Sequence, residues 1–203
     1  DNRDLHSFPT RRSSDLPDYE IYKTGIHAQR GVSCADCHMP YKSEGGVKYT
    51  DHKIQSPLNN VANSCQVCHR EETDRLVADV YSRQDKIIEN RDNLEKILVR
   101  AHVEAKLAWE KGATDEQMKP ALQLIRQAQW RWDFAAASHG ASIHAPIETS
   151  RIIAGGIEKA QEARLALSRL LAQKGYTAEV SYPDISTKAK AQKIGRASCR
   201  ERV

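Results

Sequence analysis

Aromatic and sulfur-containing apolar side chains are scarce in this chain of 203 residues: aromatics make up 6% of it, and Met occurs 2 times. The mean hydropathy is −0.67, and no apolar run approaches the roughly 18 residues that suggest a membrane span. Charge of neither sign dominates, with 31 Lys and Arg against 27 Asp and Glu, so the composition does not indicate nucleic-acid binding. A core this poor in bulky side chains is expected to be completed by something other than protein.

The two ends of the chain differ in character from its middle. Residues 1–16 and 194–203 show neither helical nor strand periodicity, and both resemble translated sequencing-adapter DNA. We expect them to be foreign or disordered tails and exclude them from fold prediction. His6 and Cys199 then carry no function, and the native part, from about Pro17 to Lys193, is expected to be a piece of a longer protein.

The native part divides into regions of different composition. Residues 17–70 are rich in Gly, Pro, Asn and Ser and have little periodicity, which predicts loops and short helices around a cofactor. Residues 71–175 carry apolar side chains at three- and four-residue steps, the pattern of long amphipathic helices. Residues 176–193 are expected to form an extended tail. The predicted fold class is mainly α, a loop-rich cofactor-binding region followed by a bundle of long antiparallel helices.

Local signals predict where the long helices begin and end. A glycine stops the first helix, a capping box opens the second, a proline occupies the first position of the third, and a glycine stops that one. The residues concerned are Gly112, Thr114 with Gln117, Pro146 and Gly175. The second helix is expected to reach about Ser138.

The chemistry of the chain is concentrated in two Cys-x-x-Cys-His motifs. One comprises Cys34, Cys37 and His38, and the other comprises Cys65, Cys68 and His69. This motif is the attachment signal of haem c. Two thiols on one helical turn can reach both vinyl groups of the porphyrin, and the adjacent histidine then becomes an axial ligand of the iron.

Two other sites could use the same cysteines. A zinc site of two Cys-x-x-Cys pairs needs no adjacent histidine, and the gap between Cys37 and Cys65 is longer than the roughly 15–20 residues usual in zinc ribbons. A redox disulfide explains neither the histidines nor the duplication. Haem attachment is therefore the preferred interpretation.

Two haems need up to two further axial ligands, and the histidines outside the motifs are the candidates. His27 and His52 lie in predicted loops, whereas His139 and His144 flank a predicted helix break. These places suit ligands better than the helix interior that His102 occupies. An iron with both axial positions filled has no site for substrate, so the sequence indicates electron-transfer haems.

Several strings around the motifs resemble the pentahaem, ammonia-forming cytochrome c nitrite reductases. The resemblance is collinear over essentially all of 17–193. The strings that carry it are Gly25-Ile26-His27, residues 32–40, residues 49–53, Cys65 to His69, residues 128–133, residues 137–140, residues 144–146 and residues 183–188.

This resemblance implies five haems c in the full-length parent, of which the fourth and fifth are attached to this chain. His38 and His69 would be the proximal ligands. His144, with His139 as a rival, would be the distal ligand of haem four, and His27 that of haem five. His52 would reach across to haem two, which another part of the parent would attach.

The resemblance also implies how the parent works. Such enzymes are periplasmic homodimers that reduce nitrite to ammonia with six electrons. Long helices form their dimer interface, a membrane-associated or soluble multihaem cytochrome is the electron donor, and calcium is bound. No nucleic-acid partner is implied.

The chain departs from the family pattern at the catalytic centre. The Cys-x-x-Cys-Lys motif of the catalytic haem does not occur in these 203 residues. The catalytic and calcium-binding residues of the family precede the matched part, and Leu16 stands where the catalytic histidine is expected. We therefore predict that this chain alone is inactive. The alternatives are a stand-alone dihaem electron-transfer cytochrome, part of another multihaem oxidoreductase, or a zinc-stabilised interaction module.

Overall fold

A computed structural model of the chain describes residues 18–192. The two expected foreign tails, with His6, Leu16 and Cys199, lie outside the described residues. The described part is mainly α-helical, as predicted. Its first third consists of short elements, and three long helices follow.

The short elements surround both Cys-x-x-Cys-His motifs. They are α1 (Asp18–Thr24), α2 (Ile26–Gln29), α3 (Cys34–His38), β1 (Tyr41–Glu44), β2 (Val47–Thr50), a 3₁₀ helix (Pro57–Asn60) and α4 (Val61–Ser64). Loops connect them, in agreement with the prediction for this region.

The strands β1 and β2 form an antiparallel hairpin that the sequence analysis did not predict. Tyr41 pairs with Thr50, and Glu44 pairs with Val47 across the turn. The turn consists of Gly45 and Gly46, which adopt φ angles of +56° and +82°. Two-residue hairpin turns favour this left-handed backbone, and a Gly-Gly pair between short runs is a signal for it. The hairpin was therefore missed although its local signal was present.

The long helices are α5 (Thr73–Glu110), α6 (Asp115–Ala137) and α8 (Pro146–Gln173), with the short α7 (Ala141–His144) before the last. The predicted boundaries are confirmed. The Thr114 hydroxyl accepts from the Gln117 N–H, and the Gln117 side chain accepts from the Thr114 N–H at 3.0 Å. Gly112 and Gly175 end their helices with φ near +78° and +77°. The tail is irregular as far as 187, and residues 188–192 are helical.

The core lies between the three long helices. Helix α8 packs against both α5 and α6, which also contact each other. The buried side chains are mostly small or branched, and the fully enclosed ones include Leu94, Ala108, Met118, Ile153 and Leu167. Alanine at the contact positions lets the helix axes approach closely, so the fully buried centre of this bundle contains no aromatic side chain among the described residues, although Trp132 and Tyr176 pack against its edge. Among residues 18–192, no helix is both long and apolar enough to cross a membrane.

One glycine of α8 lies at a close contact with α5 and α6. A Cβ atom on Gly156 would lie 2.6 Å from Leu94 Cδ2 and 3.3 Å from the Arg131 Cβ, whereas one on the neighbouring Gly155 would meet the flexible end of Arg131 at 3.4 Å. We expect Gly156→Ala to lower the free energy of unfolding by about 1–3 kcal/mol through overpacking. Urea unfolding followed by circular dichroism measures it.

Gly155→Ala is the matched control, because it adds the same methyl group one position away. It removes backbone freedom from the unfolded chain and is expected to be neutral or stabilising, by at most about 1 kcal/mol. Equal destabilisation by both variants would mean that the contact with Leu94 does not limit the helix approach.

Candidate haem-attachment sites

The first Cys-x-x-Cys-His motif forms the single-turn helix α3. Ser33 caps it: its N–H donates to the Asp36 carboxylate at 2.6 Å, and its hydroxyl accepts from the Asp36 N–H. The bond from the Ser33 backbone is the main cause that lowers the pKa of Asp36. Because Cys34 and Cys37 are one turn apart, both thiols lie on the same face of this helix, next to His38.

The second motif continues the turn of α4. The Cys65 N–H donates to the Val61 carbonyl at 2.8 Å, and the His69 N–H donates to the Cys65 carbonyl at 2.9 Å. Cys68 and His69 are exposed. The local backbone therefore has the helical turn that places two thiols and a histidine together, although the sequence around it is mostly polar.

The structure brings four of the candidate histidines together in two pairs. The ring centroids of His38 and His144 are 6.4 Å apart, with an interplanar angle of 71°. Those of His27 and His69 are 6.2 Å apart, at 76°. Each pair thus joins the histidine of one motif to a histidine from another part of the chain.

The separation within each pair fits two ligands of one iron. An imidazole nitrogen binds a metal at about 2 Å and the ring centre lies about 1 Å farther, so the rings on opposite sides of one metal have centroids about 6 Å apart. Both pairs have this spacing, and each has two thiols within its motif. The donor set therefore fits a covalently attached haem at each motif.

Polar groups lie near Nδ1 in three of these histidines. His38 Nδ1 lies 2.9 Å from the Gln55 carbonyl oxygen, and His144 Nδ1 lies 3.4 Å from Asp18 Oδ1. His69 Nδ1 is 3.8 Å from a carboxylate oxygen of the exposed Glu71. The His38 contact is a hydrogen bond, and an acceptor at Nδ1 orients that ring and leaves its Nε2 for the metal. The contacts of His144 and His69 are longer charge contacts, and His144 Nδ1 has no hydrogen-bond partner among the described residues.

Burial lowers the pKa of two of these histidines. It is the main cause for His27, and the charge of the neighbouring His69 lowers that pKa further. Burial likewise lowers the pKa of His144, although the Asp18 carboxylate acts in the opposite direction. Both imidazoles are therefore neutral near pH 7, and the neutral form is the one that binds metal.

The remaining candidates lie apart from these pairs. His52 is exposed, and its Nδ1 lies 2.8 Å from the Thr50 carbonyl oxygen, which leaves Nε2 facing away from that contact. His139 is exposed on the segment between α6 and α7. His102 is exposed on α5, inside the helix where the sequence placed it. The ring contact with His38 thus comes from His144.

The two motifs lie close to each other in the fold. Burial raises the pKa of the Cys37 thiol, and the charges of Cys65 and Cys68 contribute to this rise. The four cysteines are free thiols. Across residues 18–192, however, no three His, Cys, Asp or Glu side chains are arranged to hold a single metal ion. The thiols are therefore not arranged as a four-cysteine zinc centre.

Sequence analysis did not identify the residues that surround His144. A Cβ atom on Gly25 would lie 1.7 Å from the His144 carbonyl oxygen, and one on Gly140 would lie 2.3 Å from its ring. Tyr22 contacts the ring edge-on, with centroids 5.5 Å apart. The available sequence signal was the position of Gly25 and Gly140 near candidate histidine ligands, since a glycine often marks a place where another group approaches the backbone closely.

Comparison with known proteins agrees with these motifs. A model of the family described as cytochrome c552 matches residues 13–202. The chain belongs to the cytochrome c552 family. Membership of this family implies covalently bound haem c.

Curated relatives extend the comparison. The chain is 65% identical to a cytochrome c-552 of Bacteroides fragilis over 176 residues, which are 87% of this chain and 36% of that protein. It is 63% identical to a cytochrome c-552 of Parabacteroides distasonis over 188 residues, 92% of this chain and 38% of that protein. The chain thus spans little more than a third of the length of these relatives.

A solved structure shares the fold. It is the catalytic subunit of cytochrome c nitrite reductase from Desulfovibrio desulfuricans, in a study that concerned two calcium sites. The match has a TM-score of 0.71 and 25% sequence identity, and it covers 80% of this chain and 36% of that one. The short elements and long helices described above therefore resemble the fold of a cytochrome c nitrite reductase.

Proposed function

We propose that this chain is the part of a periplasmic, ammonia-forming nitrite reductase that carries two bis-histidine electron-transfer haems. The spacing of the two histidine pairs carries this proposal, because each pair has the span that two axial ligands of one iron require. The likeness to a cytochrome c nitrite reductase structure supports the choice of parent enzyme.

In this proposal, each haem is held by one motif and one distant histidine. Cys34 and Cys37 form thioether bonds to the first haem, with His38 and His144 as its ligands. The second haem is attached through Cys65 and Cys68, with His69 and His27 as its ligands. When bound, haem supplies an iron that carries one electron at a time.

The histidine ligands would prevent substrate from binding to these irons. With two imidazoles as ligands, each iron would have no free position for nitrite. We therefore propose that the chain passes electrons and does not turn over nitrite by itself. Helix α3 of the first motif contacts α4, which leads into the second motif, and this proximity supports transfer between the haems. His52 would contribute its exposed ring to a haem attached elsewhere in the parent.

We also propose that the parent enzyme is a homodimer. A homodimer through the long helices is supported by large apolar side chains exposed on them, such as Tyr81, Trp109 and Leu165, which are 52%, 44% and 53% exposed. A monomer in sedimentation equilibrium of the parent would contradict it. The electron donor would be a membrane-associated or soluble multihaem cytochrome, the substrate nitrite, and the calcium ligands would lie outside this chain.

The test is haem stoichiometry in the chain produced with a cytochrome c maturation system. A pyridine haemochrome spectrum is expected to show about two covalent haems per chain, because each motif provides two thiols and a histidine. The variant Cys65→Ser/Cys68→Ser is expected to keep about one haem, and Cys34→Ser/Cys37→Ser likewise.

The same samples separate the alternatives. Two low-spin haems without nitrite reduction agree with the proposal, whereas nitrite-to-ammonia turnover by this chain would contradict the inactive role. A chain that contains zinc and shows no haem absorption would contradict the cytochrome assignment altogether.

A further inference from the structure

A carboxylate from the start of the described chain reaches the break between two later helices. Asp18, the first residue of α1, accepts a hydrogen bond from the Ser138 hydroxyl at 2.8 Å and one from the Gly140 N–H at 3.2 Å, both through Oδ1. The same oxygen lies 3.4 Å from His144 Nδ1. One carboxylate oxygen thus connects the segment after α6 to the imidazole in α7.

From this geometry we propose that Asp18 is a positioning residue for His144, which fixes the ring and lowers the reduction potential of the haem at the first motif. The inference rests on the proposed function, in which His144 is an axial ligand. It adds a residue that lies outside both motifs and is more than 100 positions before His144 in the sequence.

The surroundings of His144 explain why a carboxylate is needed to hold it. The ring follows a helix break, where the backbone by itself does not fix the entry angle of α7. Ser138 ends α6 with its side chain buried, and its hydroxyl is used by Asp18. Directly after α1, the backbone at Gly25 approaches so closely that no side chain fits against the His144 carbonyl. Asp18 therefore ties the ring to an element that is itself docked against the break.

The electrostatic effect follows from the position of the charge. The Asp18 carboxylate lies 3.4 Å from Nδ1, and negative charge at that position makes the imidazole a stronger electron donor at Nε2. Greater donation and nearby negative charge favour the ferric iron over the ferrous iron and so lower the potential. The side chains of His144 and Asp18 are only 23% and 34% exposed, so water screens this contact less than it would at the surface.

The other motif offers a natural comparison. Glu71 approaches His69 to 3.8 Å, but these side chains are 55% and 47% exposed. Water screens such a surface contact, and its effect on the bound iron is expected to be small. His38 has a neutral backbone carbonyl, that of Gln55, at its Nδ1. The first haem thus has a carboxylate on its distal side and a neutral acceptor on its proximal side.

The experiment is a potentiometric titration of the dihaem chain and its variants. Asp18→Asn keeps an oxygen for Ser138 and Gly140 but removes the charge. We expect it to raise one of the two midpoint potentials by about 59 mV, which is a tenfold change in the equilibrium of a one-electron couple, and to leave the other unchanged. Asp18→Glu retains the charge and is expected to stay closer to the wild type. Glu71→Gln is the matched control and is expected to move neither midpoint.

A structural readout accompanies the potentials. The electron paramagnetic resonance signal of one low-spin haem is expected to change in Asp18→Ala, because the imidazole loses its fixed orientation, and the Gly140 amide is expected to exchange its hydrogen faster. If the chain holds two low-spin haems and Asp18→Asn changes neither their midpoint potentials nor their signals, this inference is wrong and the proposed function stands. A larger shift of midpoint potential in Asp18→Glu than in Asp18→Asn would also contradict the inference. A wild-type chain without low-spin haem would overturn the proposed function and this inference with it.

Discussion

Replacing His144 with alanine is expected to convert about half of the haem in the chain from low spin to high spin. In the proposed arrangement this substitution removes the sixth ligand of one iron and leaves the other iron with both of its histidines. The ring of His144 lies 6.4 Å from that of His38, centroid to centroid. Absorption and electron paramagnetic resonance spectra of the oxidised chain measure the high-spin fraction.

His139→Ala is the matched control, because His139 is the rival ligand and stands only five positions earlier. Its side chain is exposed, and its removal is expected to leave both haems low spin. The opposite pattern, with His139→Ala giving high-spin haem and His144→Ala giving none, would transfer the distal position to His139. Equal spectra for both variants and wild type would contradict a histidine ligand from this segment.

Replacing Arg164 with methionine is expected to lower the free energy of unfolding by about 3 kcal/mol, the lower end of the range for breaking a buried ion pair. Arg164 on α8 donates through Nε and Nη2 to Glu104 Oε1 on α5, at 2.9 and 2.7 Å. The Glu104 side chain is 6% exposed and that of Arg164 is 30% exposed. The variant therefore leaves a buried carboxylate without its counter-charge. Because Arg164 is partly exposed, the decrease in the free energy of unfolding is expected at the lower end of the range.

Urea unfolding of the haem-loaded chain measures this effect, and two controls define it. Arg151→Met removes an arginine of the same helix that is 72% exposed and pairs with the 27% exposed Glu148, and the expected loss is at most about 1 kcal/mol. The double variant Glu104→Leu/Arg164→Met is expected to be more stable than Arg164→Met, since no unpaired charge remains. A double variant as unstable as the single one would mean that packing, not charge, is lost.

The ion pair between Glu104 and Arg164 also anchors the C-terminal tail. The Tyr182 hydroxyl donates to Glu104 Oε1 at 2.6 Å, and its ring lies against the guanidinium groups of Arg100 and Arg164. Sequence analysis placed Tyr182 in an extended tail and saw no partner for it. The contact joins three segments that are far apart in the chain, so no local pattern could indicate it.

The sequence by itself determined the features that depend on neighbours along the chain. The capping box of Thr114 and Gln117 begins a helix because the two side chains satisfy backbone N–H groups within one turn. Gly112 and Gly175 end helices because glycine adopts positive φ without strain. The two Cys-x-x-Cys-His motifs predict haem c from five residues each, because one helical turn already holds both thiols and the first ligand.

The tertiary structure decided which distant groups meet. The residues alone left His27, His52, His139 and His144 open as second ligands, and the resemblance supplied an assignment without a geometry. The fold brings His144 to His38 and His27 to His69, and it docks helix α1 against the break that follows α6. Asp18 acquires its contact with His144 in the same way. Such contacts depend on the docking of whole elements, which follows from the packing of many residues rather than from the pattern of any one segment.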